Sequence, residues 1–158
     1  MVGDVSLADV KRVADTYFSA ISDATPPLPP ATVEPPQNAE RRVILEDPAQ
    51  PVLAIGWRIP AARDPSFAAC KAAADLLAGG NHARLVKKFV KEKKVAAQMQ
   101  AFTGFPGEKY PNQLILFAIP APGQDPEALE REMYAEIDSV LARGAFTAEE
   151  LNGYKVRV

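Results

Sequence analysis

Residues 77–85 read Leu-Ala-Gly-Gly-Asn-His-Ala-Arg-Leu, and this stretch decides the fold of the chain. It predicts that one helix ends and a second helix begins with almost no loop between them. Gly79 or Gly80 can adopt the left-handed conformation that ends a helix, and the side chain of Asn81 can cap the helix that follows. The sequence therefore predicts a helical corner that joins a helix over residues 64–78 to one over residues 81–93.

Patterns on both sides of this corner predict a sheet and two further helices. A long helix is expected from Asp125-Pro126 to Gly144, and Thr147 with Glu150 has the spacing of a capping box that starts a last helix. Four strands with helices between them predict an α+β fold, in which helices pack on one face of an antiparallel or mixed sheet. The predicted strands cover residues 41–46, 52–59, 95–103 and 113–119.

The chain divides into three sections. Residues 1–22 predict a short β–α piece, in which Ser6 and Asp9 begin an amphipathic helix. Residues 23–40 predict a proline-rich linker, because prolines remove backbone donors and hold the chain extended. Residues 41–158 predict the α+β domain, whose last helix has no end signal, so we expect that helix to be truncated.

The composition is that of a soluble globular protein, with 47% hydrophobic and 24% charged residues. A formal net charge of −2 and the lack of a long Lys/Arg run argue against a nucleic-acid partner. No apolar run approaches the roughly 20 residues that cross a bilayer, and the first four residues do not start a signal peptide. Cys70 is the single cysteine, which excludes an internal disulfide.

His82 is the only histidine, and this limits the chemistry that the chain can perform alone. A catalytic zinc usually needs three protein ligands, and neither His-Glu-x-x-His nor His-x-x-Glu-His occurs. A Ser-His-Asp or Cys-His site would have to use His82, which falls in the first turn of a predicted helix, where exposed polar residues are common. No glycine-rich phosphate loop is present. We therefore do not expect a self-contained enzyme.

Several stretches, in their order and spacing, resemble the pitrilysin/insulinase family of zinc peptidases, the inverzincins. Residues 2–5 (Val-Gly-Asp-Val) precede a helix that ends in Tyr-Phe, and residues 53–60 (Leu-Ala-Ile-Gly-Trp-Arg-Ile-Pro) match a long strand. Residues 78–85 are similar to the family's Gly-Gly-x-x-Ser-Arg-Leu turn, and residues 119–123 and 147–151 match a later strand end and helix start. The resemblance implies the end of the first half of a clamshell, the linker, and most of the second, non-zinc half.

Catalysis in that family uses a helix with His-x-x-Glu-His and a further downstream Glu, which hold zinc and activate a water. The resemblance places that helix outside this chain, so no residue here inherits a metal or catalytic role. Active members also carry an Arg/Tyr pair that holds substrate. Val90 and Ala97 occupy those two positions, so the pair is absent. His82 and Arg84 are the substrate-facing candidates that the matching turn provides, and a structural role suits Arg84 better.

The resemblance implies a non-catalytic, substrate-enclosing domain of a zinc-dependent metalloendopeptidase. The chain itself would hold no cofactor, and the intact parent would bind zinc if its zinc motif is present. The implied partners are the zinc-bearing half of the same protein, a peptide substrate, and a second family subunit that supplies the Arg/Tyr pair. The alternatives are a structural, core-protein-like member that binds subunits without proteolysis, and a free-standing binding domain. Because many bacterial relatives are exported, the resemblance suggests the periplasm and leaves the cytoplasm open.

Overall fold

The computed structural model describes residues 3–23, 25–29, 33–144 and 146–157. They divide into two units, with the boundary between Leu45 and Glu46. No described helix combines the length and the apolar character that crossing a bilayer demands. The first unit contains helix α1 (Leu7–Phe18), and the second contains, in chain order, β1 (Leu53–Ile59), α2 (Phe67–Ala78), a π-helix (Val86–Glu92), β2 (Ala96–Phe105), β3 (Asn112–Pro120), α3 (Pro126–Ala142) and α4 (Ala148–Arg157).

The three strands form one antiparallel sheet in the order β1-β3-β2, with β3 in the centre. Gly56 of β1 lies opposite Ile115 of β3, and Gln100 of β2 lies opposite Phe117. Every second residue of β3 is buried, while the residues between them are exposed or half-buried. Since side chains alternate along a strand, the sheet has a buried inner face and a less buried outer face.

Helices of the second unit cover the inner face and close a hydrophobic core. Leu116 of β3, Phe89 of the π-helix and Met133 of α3 are completely buried in it. Burying a side chain of this size contributes roughly 1.5–3 kcal/mol. The predicted α+β fold, with an antiparallel sheet and helices packed on one face, is confirmed. The other core residues are Ile59, Phe67, Ala74, Ala78, Ala83, Leu85, Val86, Ala96, Met99, Ala101, Leu114, Ala118 and Leu129.

Three predicted helix starts are confirmed by the hydrogen bonds of their caps. The Ser6 hydroxyl accepts the amide of Asp9 at 3.2 Å, and the Asp125 carboxylate accepts the amides two and three residues along the chain. The Thr147 amide donates to the Glu150 carboxylate at 2.8 Å, and the Glu150 amide donates to the Thr147 hydroxyl at 3.2 Å. This reciprocal pattern is the capping box that the sequence predicts.

The sheet has three strands in the described part of the chain, where four were predicted. Residues 41–46 adopt no regular structure, and Val43, Ile44 and Leu45 are 77–87% exposed. Their β-forming side chains have no paired strand among the described residues, and an extended segment without a partner is not stable as a strand. The strand expected at residues 2–5 is likewise missing over the described residues 3–5, while Val2 lies outside them.

The helical corner differs from its prediction. Neither of its two glycines has a positive φ. Glycine is instead required at Gly79 because a Cβ there would lie 2.4 Å from the Cα of Asp75. The chain then turns through Asn81, whose backbone carbonyl accepts a hydrogen bond from the Lys91 ammonium, with an N–O distance of 2.5 Å. Helical structure resumes at Arg84 and continues as the π-helix, so the predicted side-chain cap at Asn81 is not formed.

The π-helix is followed by Lys94, which has a φ of +57°. This left-handed conformation costs roughly 1–2 kcal/mol for a residue other than glycine, because the Cβ crowds the following carbonyl. Two backbone hydrogen bonds fix the helix end, from Lys93 to Lys88 at 2.9 Å and from Val95 to Phe89 at 3.0 Å. Lys94 therefore turns the chain from the π-helix into β2 at some cost in backbone energy.

We expect Lys94→Gly to stabilise the protein by up to about 1 kcal/mol. Glycine removes the steric cost of the positive φ, and the greater conformational entropy that it gives the unfolded chain offsets only part of that gain. Urea unfolding measures the difference. Lys87→Gly, at an exposed position inside the π-helix, is the control and should destabilise by about 1 kcal/mol. A lower unfolding midpoint for Lys94→Gly than for the parent chain would show that the strain is not released.

Asn112 is the only buried polar side chain among the residues that the structure describes, at 3% exposure. Its amide nitrogen donates to the carbonyls of Pro60 and Tyr110, both at 3.1 Å. Its side-chain oxygen accepts the amide of Gly104 at 3.1 Å. One side chain therefore ties the end of β1 and the end of β2 to the connection that precedes β3.

Asn112→Asp should destabilise the fold by roughly 2–4 kcal/mol, because a carboxylate cannot donate to the two carbonyls and would be buried beside them. Chemical denaturation at neutral pH measures the loss. Gln113→Glu makes the same change from amide to carboxylate at the exposed neighbouring position, and should alter stability by less than about 0.5 kcal/mol. Equal losses in the two variants would contradict the role assigned to Asn112.

Candidate functional site

The face of the sheet turned away from the core is the first candidate site, and we call it the outer face. Along the central strand it presents Ile115, Phe117 and Ile119, which are half-buried. A row of partly exposed apolar side chains on the side of the sheet opposite the core is a common mark of an interaction surface. The remaining residues of the outer face are exposed and comprise Ala54, Gly56, Arg58, Gln98, Gln100, Phe102 and Gln113.

Gly56 keeps the outer face flat. A Cβ at this position would lie 3.0 Å from Oε1 of Gln113 and 3.3 Å from Cδ1 of Ile115. Those two side chains therefore lean from β3 across the backbone of β1, a close approach that glycine in a strand permits. Ile115 has Gly56 opposite it on one side and Phe102 opposite it on the other. The result is a continuous apolar surface across the sheet.

The second candidate site is the helical corner, where Arg84 forms a two-pronged ion pair with Glu150. The Nε and Nη2 atoms of Arg84 donate to the two carboxylate oxygens at 2.6 and 2.8 Å. The guanidinium carbon also lies 5.6 Å from the ring centroid of Phe146. The two side chains are only 22% and 29% exposed. Arg84 thus holds the first turn of α4, the turn that the capping box begins.

This ion pair changes the protonation equilibria of both groups. The hydrogen bonds from Arg84 lower the pKa of Glu150 to about 2, against the opposing effect of partial burial and with help from Thr147. The same hydrogen bonds raise the pKa of Arg84. Helix α4 has no buried residue among those described. Its first turn is held by Arg84, and its last turn by an ion pair between Arg157 and Asp75 of α2.

The other residues that the sequence singles out lie on different elements. His82 is exposed in the turn of the corner, Val90 is half-buried in the π-helix, and Ala97 is exposed near the start of β2. Cys70 is a half-buried free thiol on α2. Within the described residues no three or more His, Cys, Asp or Glu side chains are grouped to hold a metal ion. That His82 and Arg84 face substrate stays a prediction, and the guanidinium of Arg84 is engaged with the start of α4.

Comparison with known proteins gives the family. The model described as "Peptidase M16 inactive domain" matches residues 1–157, so the chain belongs to this family of non-catalytic peptidase domains. A crystal structure of a protease from Helicobacter pylori is similar, with a TM-score of 0.83 and 26% identity, over 99% of this chain and 38% of that one. A structure described as a "putative zinc protease" from Bordetella pertussis Tohama I has a TM-score of 0.59 and 26% identity.

The Bordetella pertussis match covers 70% of this chain and 60% of the other. The chain therefore spans 38% and 60% of the lengths of these two structures. Among curated proteins, none matches the chain significantly. The resemblance to the pitrilysin/insulinase family, and to its non-zinc half, is confirmed.

Acid should weaken the attachment of α4. Because the pKa of Glu150 lies at about 2, below its ordinary 4.5, its stabilising contribution is complete above pH 4.5 and is lost as the pH falls towards 2. Glu150→Gln should remove this contribution at neutral pH, at a cost of roughly 1–3 kcal/mol. Urea unfolding at pH values across this window measures both effects.

The matched control is Glu149→Gln, which removes an exposed carboxylate from the same turn of α4. That variant should keep the stability and the acid dependence of the parent chain, whereas Glu150→Gln should have a flatter acid dependence. The same acid dependence in both variants would mean that the contact with Arg84 contributes nothing measurable.

Proposed function

We propose that this chain is the domain that encloses peptide substrate in a zinc-dependent metalloendopeptidase. Membership of the Peptidase M16 inactive domain family and the protease-like structural neighbours support a non-catalytic domain of a zinc protease-like protein. The observation that carries the step to enclosure is the outer face. Its central row of Ile115, Phe117 and Ile119 is apolar, and the helices of the second unit pack on the other side of the sheet.

The described residues of this chain do not fit a zinc site, because no metal-ligating group of three is present among them. We therefore assign no catalytic step to the chain. In this proposal zinc belongs to the zinc-bearing half, and the outer face supplies a wall. Apolar contacts along β3 would hold an extended peptide without requiring one particular peptide sequence. The wall would also keep bulk water from the bound segment.

Within this proposal Arg84 has a structural role. Its guanidinium donates to both oxygens of Glu150 and lies against Phe146, so a substrate carboxylate or carbonyl would have to displace an existing partner. His82 is exposed in the same corner. It is the better candidate of the two for contact with a peptide that enters past the corner.

The second candidate function is that of a structural member of the family, which binds partner subunits and does not cleave peptides. Val90 and Ala97 favour it, because neither side chain can donate a hydrogen bond to a peptide oxygen. A zinc peptidase that borrows the Arg/Tyr pair from a second subunit explains the same two residues. The two candidates differ in whether the assembled protein cleaves peptides.

The purified chain should hold no stoichiometric zinc and should not cleave a fluorogenic peptide. Mixed with the zinc-bearing half of the same protein, it should support cleavage that a chelator stops. Metal analysis and the peptide assay, each run on the chain, on the zinc-bearing half and on the mixture, measure this.

Chelator-sensitive turnover by the chain alone would overturn the assignment as a non-catalytic domain. A mixture that forms a zinc-loaded complex and leaves the peptide intact would favour the structural candidate. A zinc-bearing half that cleaves equally well with and without this chain would remove the enclosing role.

A further inference from the structure

Helix α4 is attached to the second unit largely through charged side chains. None of the described residues of α4 is buried, and Val156 is 88% exposed. The half-buried residues of the helix are Glu150, Gly153 and Tyr154, which share one face because they stand three and four positions apart. Burial of apolar surface therefore contributes little to the attachment, and the ion pairs at the two ends of α4 contribute much of it.

These two ion pairs differ in how far water reaches them. At the first turn, Arg84 donates to both carboxylate oxygens of Glu150, and the two side chains are 22% and 29% exposed. At the last turn, Arg157 pairs with Asp75 of α2, and the Arg157 side chain is 51% exposed. Salt screens exposed charges strongly and partly buried charges much less. The last turn is therefore the weaker of the two attachments, above all at high ionic strength.

Helix α4 packs on a side of α2 that does not face the core. Ala74 and Ala78 of α2 belong to the core. Leu76 lies two residues from each of them and so projects from the opposite side of the helix, because successive residues are about 100° apart. Leu76 is nevertheless only 6% exposed. Strands β2 and β3 pack on α2 from the sheet, and α4 packs on it as well, with the ion-pair partner Asp75 next to Leu76. Leu76 is thus placed to be shielded by α4.

We propose that α4 is a strap that opens at its last turn. When the ion pair between Arg157 and Asp75 breaks, the last turn leaves α2 and uncovers Leu76, while Arg84 and the capping box hold the first turn in place. The sheet stays folded, because none of these released residues belongs to the core and local opening needs less free energy than global unfolding. Salt favours the open state by screening the exposed pair. The device goes beyond the proposed function, since it depends only on contacts within the second unit.

A thiol beneath the strap measures the opening. Cys70→Ala removes the native thiol, and Leu76→Cys places a thiol on the side of α2 that α4 shields. Raising the salt from about 0.05 M to about 0.5 M should make alkylation of this thiol by a neutral reagent about threefold faster. In the same background, Arg157→Gln should give a similar increase of about threefold at low salt and should remove most of the salt dependence.

The matched control is Lys155→Gln, which removes an exposed cation from the same last turn and should leave the alkylation rate unchanged. It separates the ion pair from the general effect of a cation near the end of a helix. Asp75→Asn removes the other partner. Once Asp75→Asn is present, Arg157→Gln should add little, as a double-mutant cycle requires of two residues that act through one contact.

Hydrogen exchange on the chain without a cysteine substitution gives a second measurement, which decides the question if the Leu76→Cys variant does not fold. The amides of residues 154–157 should exchange faster as salt rises. The amide of Leu151, which donates to the carbonyl of Thr147 at 3.1 Å in the first turn, should keep its rate, and so should the amides of β3. In the parent chain, alkylation of Cys70, which packs against the core, should not respond to salt.

Equal alkylation rates in the Arg157→Gln and Lys155→Gln variants would overturn the proposal, because the ion pair would then hold nothing. The same acceleration at Cys70 or in β3 would mean that the domain unfolds as a whole. Acceleration at Leu151 equal to that at residues 154–157 would mean that the entire helix leaves and that Arg84 does not anchor it. A thiol at position 76 that reacts as fast as a free thiol in every variant would show that α4 does not cover it.

Discussion

The central strand of the sheet is apolar on both sides, and the rest of the molecule follows from this constraint. Leu114, Leu116 and Ala118 point inward and are 7% exposed or less, under the helices of the second unit. Ile115 and Phe117 point the other way and are half-buried only. Strands with near-continuous apolar runs normally have both faces covered. The helices of the second unit supply the covering layer on the inner side.

Local patterns predicted much of the fold, because caps depend on residues a few positions apart. The helix starts at Ser6, Asp125 and Thr147 each use an oxygen and an amide within three residues. Strand pairing joins distant segments, and this is why residues 41–46 were predicted as a strand on composition and have no paired strand in the described chain. The role of Gly79 was also misassigned: it ends α2 at a φ of −78° and not in the left-handed region, and it must be glycine because a Cβ would meet the backbone of Asp75 one turn earlier.

The candidate site was predictable only in part. The apolar run at 113–119 indicated a buried strand, but a pattern in one strand does not reveal which face the helices will cover. Arg84 was found through the turn it belongs to, while its partner Glu150 lies 66 positions away. Asn112 gave no signal, because a single asparagine before a strand is ordinary. Its importance comes from the three backbone groups that the fold brings to it.

Ion pairs tie the helical side of the domain together. Ion pairs join the helices and the corner to one another: Arg84 to Glu150, Asp75 to Arg157, Lys88 to Glu136, and Lys93 to Glu132. The more exposed of these pairs, Lys93–Glu132 and Arg157–Asp75, contribute about 1 kcal/mol or less each to stability, whereas the Arg84–Glu150 pair is partly buried and contributes more. On the outer face the row of Ile115, Phe117 and Ile119 is only half-buried, and each Å² of apolar surface that stays against water is unfavourable by roughly 25 cal/mol. Covering that row with a peptide or a protein partner would remove this cost, so burial of the outer face is favourable.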